Sequence, residues 1–364
     1  MKIGIVWLPN VGKSTLFNSL TKTYAADAAN FPFCTIEPNV GIVDVLDPRV
    51  DKLSEISHTQ KKIYASIQFV DIAGLVKWAS QGAGLGNKFL SHIRETDAIV
   101  QVLRYFGDPD VVHVEWGVDP MRDVEIINTE LILSDVEQIE RNLPALEKKA
   151  KTGDKESSKL APVLRRVYEV LMSWGLAYSV REELSEEERM LLKPYNLLTN
   201  KPFVYAINIG TDDFANADAI QKEFSEKLHR PVSLVCAKLE SEMLGFSPEE
   251  RAEYVQAEFG STSVPTLDHL IWLAYDTVGL MYYFTTGEKE TRAWTIKKNS
   301  TAPEAAAAIH TDFQKKFIKA EVVSCDNFIA AWSRGAAREK GFLKLEGKEY
   351  IVQEWDVIIF KIGG

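Results

Sequence analysis

The residues best suited to chemistry lie close to the amino terminus, where Gly4-Ile5-Val6-Trp7-Leu8-Pro9-Asn10-Val11 runs into Gly12-Lys13-Ser14-Thr15. The second half fits the spacing Gly, four residues, Gly-Lys-Ser/Thr. In such a loop the backbone N–H groups surround a β-phosphate, the lysine neutralises the outer phosphates and the hydroxyl ligates Mg²⁺. Asn10, Val11, Gly12, Lys13, Ser14 and Thr15 are therefore candidate nucleotide contacts, with Lys13 acting on the transferred phosphate and Ser14 on the metal. The first glycine of the pattern is missing, because Trp7 stands in its place.

Two further clusters supply what phosphoryl transfer needs. Ile67-Gln68-Phe69-Val70 reads as a buried strand delivering Asp71-Ile72-Ala73-Gly74, a carboxylate for the Mg²⁺ shell and a glycine whose N–H meets the γ-phosphate. Thr35, in the proline-punctuated stretch Asn30 to Asn39, is the candidate switch threonine that reaches both metal and γ-phosphate. After Gly74 comes Leu75, where related hydrolases carry the glutamine that orients the attacking water, so that water must be positioned otherwise. Gly82-Ala83-Gly84-Leu85-Gly86 reads as a mobile second switch. His113, in a loop beyond the strand Ala98 to Leu103, is a catalytic candidate, although a loop histidine is more often solvated surface.

The base-reading end is expected where two later strands end, at Asn208-Ile209-Gly210-Thr211 and Cys236-Ala237, so Asn208, Ile209, Cys236 and Ala237 are candidate contacts. Guanine selectivity ordinarily uses Asn/Thr-Lys-x-Asp, whose aspartate pairs with the guanine N1 and N2 donors. No such tetrapeptide occurs in the chain. Burying those donors unmet would cost about 1–3 kcal/mol each, so adenine is the easier occupant.

These loops need a sheet to hold them. Buried-strand runs at Lys2 to Val6, Val40 to Val45, Ile67 to Val70, Ala98 to Leu103, Pro202 to Ile207 and Pro231 to Val235, with an amphipathic helix at Ser14 to Leu20, give an α/β domain. Between Asp123 and Tyr195 the pattern changes. Ile132, Val136, Ile139, Leu143 and Leu146 step by four and three, as do Leu160, Leu164, Val167 and Leu171, so two antiparallel helices follow, joined at the basic tip Lys148 to Lys155. That tip is either a solvated turn or an RNA contact. Pro144 should kink or end the first helix. From Tyr282 to Gly364, strands at Arg292 to Ile296, Phe317 to Val323, Lys348 to Val352 and Val357 to Phe360 around one helix, Ala302 to Lys315, make a small α+β module, with His310-Thr311-Asp312-Phe313 at a capped helix end.

Composition narrows the classes. The 364 residues suffice for two or three domains, 46% are hydrophobic, and no apolar run approaches the ~18 needed to span a membrane. The chain enters a core strand at once, leaving no room for a secretory or transit segment, so the cytoplasm is expected. Three cysteines, Cys34, Cys236 and Cys325, are too few and scattered for a disulfide framework or zinc site. A net charge of −10 argues against coating of DNA or RNA, while leaving room for a local RNA contact.

Taken together, the loop at 4 to 15, Phe31 to Asn39, Asp71-Ile72-Ala73-Gly74-Leu75-Val76, Gly84 to Leu90, Arg292-Ala293-Trp294-Thr295-Ile296 and Ile309 to Phe313 resemble the YchF/Obg-like ATPase family over essentially the whole chain. The resemblance implies a Ras-like P-loop NTPase domain (1–122 and 196–278), an inserted α-helical coiled coil (123–195) and a C-terminal TGS domain of β-grasp type (279–364). It further implies ATP hydrolysis in preference to GTP, ribosome or rRNA association, a monomer, and a catalytic role for His113. Asn10 matches an asparagine that related enzymes use to hold K⁺. Two departures stand out. Thr211 replaces the family's base-motif glutamate, which leaves Asn208 and the backbone near Ile209 for the base. Trp7, Trp78, Trp116, Trp174 and Trp355 stand where the family has glycine, while Trp294 matches a family tryptophan. A bulky indole in the phosphate loop should crowd the nucleotide. One cause would explain all five: UGA codons read as tryptophan in a lineage that reads them as glycine. If the tryptophans are genuine, the alternative is a nucleotide-impaired ribosome- or RNA-binding scaffold.

Overall fold

The computed structural model describes residues 1–23, 39–72, 84–107, 117–260 and 264–363. They divide into two compact units, one holding 1–23, 39–41 and 68–274 and the other 42–67 and 275–363.

The first sheet is built from β1 (Lys2–Trp7), β2 (Val40–Val45), β4 (Ala65–Asp71), β5 (Ala98–Arg104), β6 (Phe203–Asn208) and β7 (Val232–Val235), in the order β2-β4-β1-β5-β6-β7. The pairs β4–β1, β1–β5, β5–β6 and β6–β7 are parallel. Every residue of β5, β6 and β7 is buried, as expected of parallel strands covered on both faces, which read as continuous apolar runs. Parallel order brings the carboxyl ends of β1, β5, β6 and β7 to one edge, where open α/β sheets place their ligand crevice.

The helical insert is two long helices, Pro120–Lys151 and Lys155–Met172, capped by Asp119 and Asp154. The expected stripe forms their shared core: Ile132, Ile139, Leu143, Leu160, Leu164, Val167 and Leu171 are buried together, with Val136 and Leu146 packed against them. Pro144 does not end its helix, which runs on to Lys151. It sits on the exposed side of a helix whose opposite face is fixed by this core, so the lost backbone bond is offset by packing. Within the same unit Asp135, fully buried, accepts from Leu198 N, Thr199 N and Thr199 Oγ1 and so ties the insert's first helix to the chain returning to β6.

In the second unit β3 (Lys61–Ile63), β8 (Leu280–Thr285), β9 (Glu290–Lys297), β10 (Phe317–Ser324), β11 (Lys344–Glu346) and β12 (Asp356–Ile362) form a mixed sheet in the order β11-β10-β12-β8-β9-β3. The α+β reading holds, with corrections: the strands β8 and β11 and the helices Cys325–Ala331 and Arg334–Glu339 were not expected. Lys348 to Val352 is not a strand, contributing only the bridge Thr301–Ile351, because Tyr350 and Gln353 are drawn instead into a turn around Asp356. The single expected helix is two, Ala302–Ile309 and Thr311–Lys315, since His310 is extended (φ −162°, ψ 142°) and its Nδ1 accepts from Asp312 N to cap the second.

Candidate nucleotide-binding site

β1 ends at Trp7, and the chain turns through Leu8 to Gly12 before the helix Lys13–Thr23. Two turn residues are left-handed, Asn10 at φ 67° and Gly12 at φ 88°. Asparagine tolerates that region through its short polar side chain. Gly12 is required twice over, because a Cβ there would lie 2.4 Å from Asn208 Nδ2. The first helical bond runs from Leu16 N to Gly12 O at 3.0 Å, so the N–H groups of Lys13, Ser14 and Thr15 have no acceptor within the helix and lie at its positive end.

The loop is clamped from two strand ends. Asn208, the last residue of β6 and 3% exposed, donates from Nδ2 to Val11 O at 2.9 Å and accepts Ala237 N–H on Oδ1 at 3.0 Å. Arg104, the last residue of β5 and buried, donates to Asn10 O at 3.3 Å and to Phe106 O at 3.2 Å, with its guanidinium 4.6 Å from the Phe106 ring centre. At the head of the loop Lys13 Nζ lies 3.0 Å from Asp71 Oδ2 and 3.2 Å from Oδ1. The same ammonium stands 4.2 Å above the buried Trp7 ring. The Lys13 ammonium is thus held by a carboxylate and an indole face.

Beside this loop lies a cleft of about 960 Å³ within the first unit, of the size that takes a nucleotide. It is lined by Asn10, Gly12, Lys13, Ser14 and Thr15 of the loop and first helix together with Phe106, Asn208, Ile209, Thr211, Ala237 and Lys238. Two sequence candidates lie behind it. Val11 is buried and contributes its carbonyl to Asn208, and Cys236 is buried, its thiol pKa pushed up by desolvation, at the N-cap of Ala237–Glu242. Thr35, Gly74 and His113 lie outside the described residues, as do Trp78 and Trp116. Asp212 and Glu242, both exposed, line the rim, and Glu242 comes from a helix thirty-odd positions past Thr211 that no tetrapeptide pattern covers. Phe106, Lys238 and Ser241 were likewise missed; the signal for Phe106 was an aromatic just past a strand ending in a buried arginine.

Among the described residues no group of three or more His, Cys, Asp and Glu side chains converges on one point. Magnesium at a nucleotide site is held through one or two carboxylates with phosphate oxygens and water, rather than by an all-protein cage. Asp71, paired with Lys13, and the hydroxyl of Ser14, which lines the cleft, are donors of the kind that arrangement uses.

Over 99% of its length the chain is 48% identical to the "Ribosome-binding ATPase YchF" of Haemophilus influenzae, covering 98% of that protein. The chain belongs to the YchF/Obg-like family. The Bacillus subtilis YchF is 46% identical, with 98% of each chain covered. A family model described as 50S ribosome-binding GTPase matches residues 2–158, and one for the YchF GTPase C-terminal region, described as a protein of unknown function, matches 280–363. The solved Schizosaccharomyces pombe YchF GTPase superposes with a TM-score of 0.86 at 35% identity, covering 99% of this chain and 97% of that one. The fold is therefore the YchF one: a Ras-like P-loop NTPase domain with a helical insert and a C-terminal α+β domain. Among the described residues no helix is long and apolar enough to cross a membrane.

Proposed function

We propose that this YchF-family chain binds Mg·ATP in the cleft and hydrolyses it, in preference to GTP, as a regulatory switch on the ribosome in the cytoplasm. The observation that carries the reading is the pairing of Lys13 with Asp71 at 3.0 Å, one group suited to the outer phosphates and the other to the metal, at the head of a nucleotide-sized cleft. Relatives whose printed name is ribosome-binding ATPase supply the reaction and the partner. Site roles follow from position. Lys13 neutralises the β- and γ-phosphates, Ser14 and Asp71 hold Mg²⁺ with Thr35, and the Gly74 N–H meets the γ-phosphate. Asn10, a left-handed residue of the loop, is the residue for K⁺. Phe106 and Ile209 flank the base, and the second amide hydrogen of Asn208 is left for it. The Asn/Thr-Lys-x-Asp aspartate that pairs with guanine is absent, with Thr211 in the acid's place, which favours adenine. Domain limits of 1–122 with 196–278, 123–195 and 279–364 remain the proposed functional division.

The test is turnover of ATP and of GTP, each with and without ribosomes and with K⁺ or Na⁺. ATP turnover that rises with ribosomes supports the proposal, and equal turnover of both nucleotides, indifferent to ribosomes, removes it. A second reading, a ribosome-binding scaffold with an impaired nucleotide site, is favoured by one observation, the Trp7 ring beneath Lys13. Absence of Mg·ATP binding to the chain as written would select it.

A further inference from the structure

Nine non-glycine residues among those described have φ in the left-handed region: four asparagines, two histidines and three tryptophans. Asparagine and histidine are the side chains enriched there, through local hydrogen bonding. Tryptophan has no such recourse. Yet Trp174 (φ 64°), Trp332 (φ 61°) and Trp355 (φ 66°) all adopt it.

Each of the three occupies a slot that folded chains reserve for glycine. Trp174 follows the helix Lys155–Met172 and its cap Ser173; its N–H bonds Leu171 O at 2.9 Å and the next N–H, of Gly175, bonds Val170 O at 2.9 Å. That pair of bonds is the helix-terminating motif whose left-handed residue is usually glycine. Trp332 is the first residue beyond the helix Cys325–Ala331, its N–H bonded to Phe328 O at 3.0 Å. Trp355 is third of the four residues in the turn that Asp356 N closes on Gln353 O at 3.2 Å, the position where a positive φ calls for glycine. Packing does not explain the first two, whose side chains are 63% and 53% exposed. The contrast lies in the same chain. Trp272 sits within the helix Leu267–Thr277, and Trp294 sits within β9 with its indole N–H bonded to Thr285 Oγ1 at 2.9 Å; neither has a positive φ.

Three unrelated replacements of glycine by the largest side chain are less economical than one cause acting on all. We infer that the native polypeptide carries glycine at positions 174, 332 and 355, and by the same cause at 7, because its gene uses UGA for glycine while tryptophan at 272 and 294 is encoded by UGG. The backbone thus adds Trp332 to the positions that family comparison singles out. At position 7 the consequence is functional: glycine restores the full Gly, four residues, Gly-Lys-Ser spacing and takes the indole from beneath Lys13. The inference for 174, 332 and 355 does not depend on the nucleotide reading.

Two measurements test it. The protein isolated from its own source, digested and sequenced by mass spectrometry, should show glycine at 174, 332 and 355; tryptophan at any of the three overturns the inference. In the recombinant chain as written, Trp174→Gly and Trp332→Gly should each raise the thermal midpoint by roughly 2–4 °C, through relief of the strained backbone, whereas the helical Trp272→Gly should lower it. A midpoint lowered by both of the first two substitutions would show that the indoles belong there.

Discussion

Removing the Asn208 side chain tests whether one residue holds the nucleotide cleft together. In Asn208→Ala the Val11 carbonyl loses its donor and the Ala237 N–H its acceptor, two bonds of 2.9 and 3.0 Å between groups only 1% and 3% exposed. Each orphaned buried group costs about 1–3 kcal/mol. The cleft admits water on one side, which meets part of that demand, so the expected loss is about 2–4 kcal/mol, toward the large end for a point substitution. Nucleotide affinity should fall as well, because a loop released at Val11 must be ordered again at binding; losing ~1–2 kcal/mol of that ordering weakens affinity roughly 5- to 30-fold. Asn208→Asp is the informative companion. It keeps an acceptor for Ala237 N but turns a second oxygen toward the Val11 carbonyl, so it should bind nucleotide no better than the alanine variant despite its closer shape. Urea unfolding followed by circular dichroism gives the stability change, and titration of Mg·ATP gives the affinity. A loss below about 1 kcal/mol with unchanged affinity would refute the clamp.

Lys13→Ala should abolish hydrolysis and weaken nucleotide binding, and Asp71→Ala should do likewise through the metal; normal turnover in either would take this loop out of the mechanism. At equal concentrations ATP should displace bound GTP in a competition titration, and displacement in the opposite sense would reverse the base assignment. His113→Ala should lower turnover with little change in ATP affinity, as for a group acting in the transition state, and equal loss in both would give it a structural role. Lys201, 7% exposed, donates to Arg94 O at 3.1 Å, Asn196 Oδ1 at 3.0 Å and Thr96 O, and burial pushes its pKa down from 10.5 to about 8. Between those two values the unfolded chain binds the extra proton. The group therefore lowers stability below pH 8, and stability rises with pH through that window by at most about 3 kcal/mol. Urea midpoints of the native chain and Lys201→Met should converge or cross in the native chain's favour between pH 8 and 10.5, and a pH-independent difference would contradict the assignment.

What the sequence made legible was what must sit at the end of a strand. Gly12, Lys13, Ser14, Asp71 and Asn208 were found because each follows a buried apolar run, and a parallel sheet brings such ends to one edge. The rim of the cleft was not legible. Phe106, Lys238, Ser241 and Glu242 come from segments beyond β5 and β7, where no spacing ties a side chain to the phosphate loop and only the assembled sheet brings them near it. The insert's core was read from its heptads, and its first helix continues past Pro144, since propensity weighs a residue alone while packing of Ile139, Leu143 and Leu164 weighs the helix as a whole.

Asn208 shows most plainly how a correct residue can carry an incomplete role. Sequence position marked it as a contact for the base, and it does line the cleft. Its hydrogen bonds, however, are made to Val11 O and Ala237 N, backbone groups 197 and 29 positions away along the chain. A side chain that lines the cleft is thus also the one that ties the loop backbone at Val11 to the backbone at Ala237. The collision that a Cβ at Gly12 would make with the same amide, at 2.4 Å, follows from this closeness. Gly12 is thus tied to the site twice, by its own φ of 88° and by the partner its neighbour Val11 must reach. A larger residue at 12 would push Asn208 off both backbones at once, so loop and base pocket would fail together.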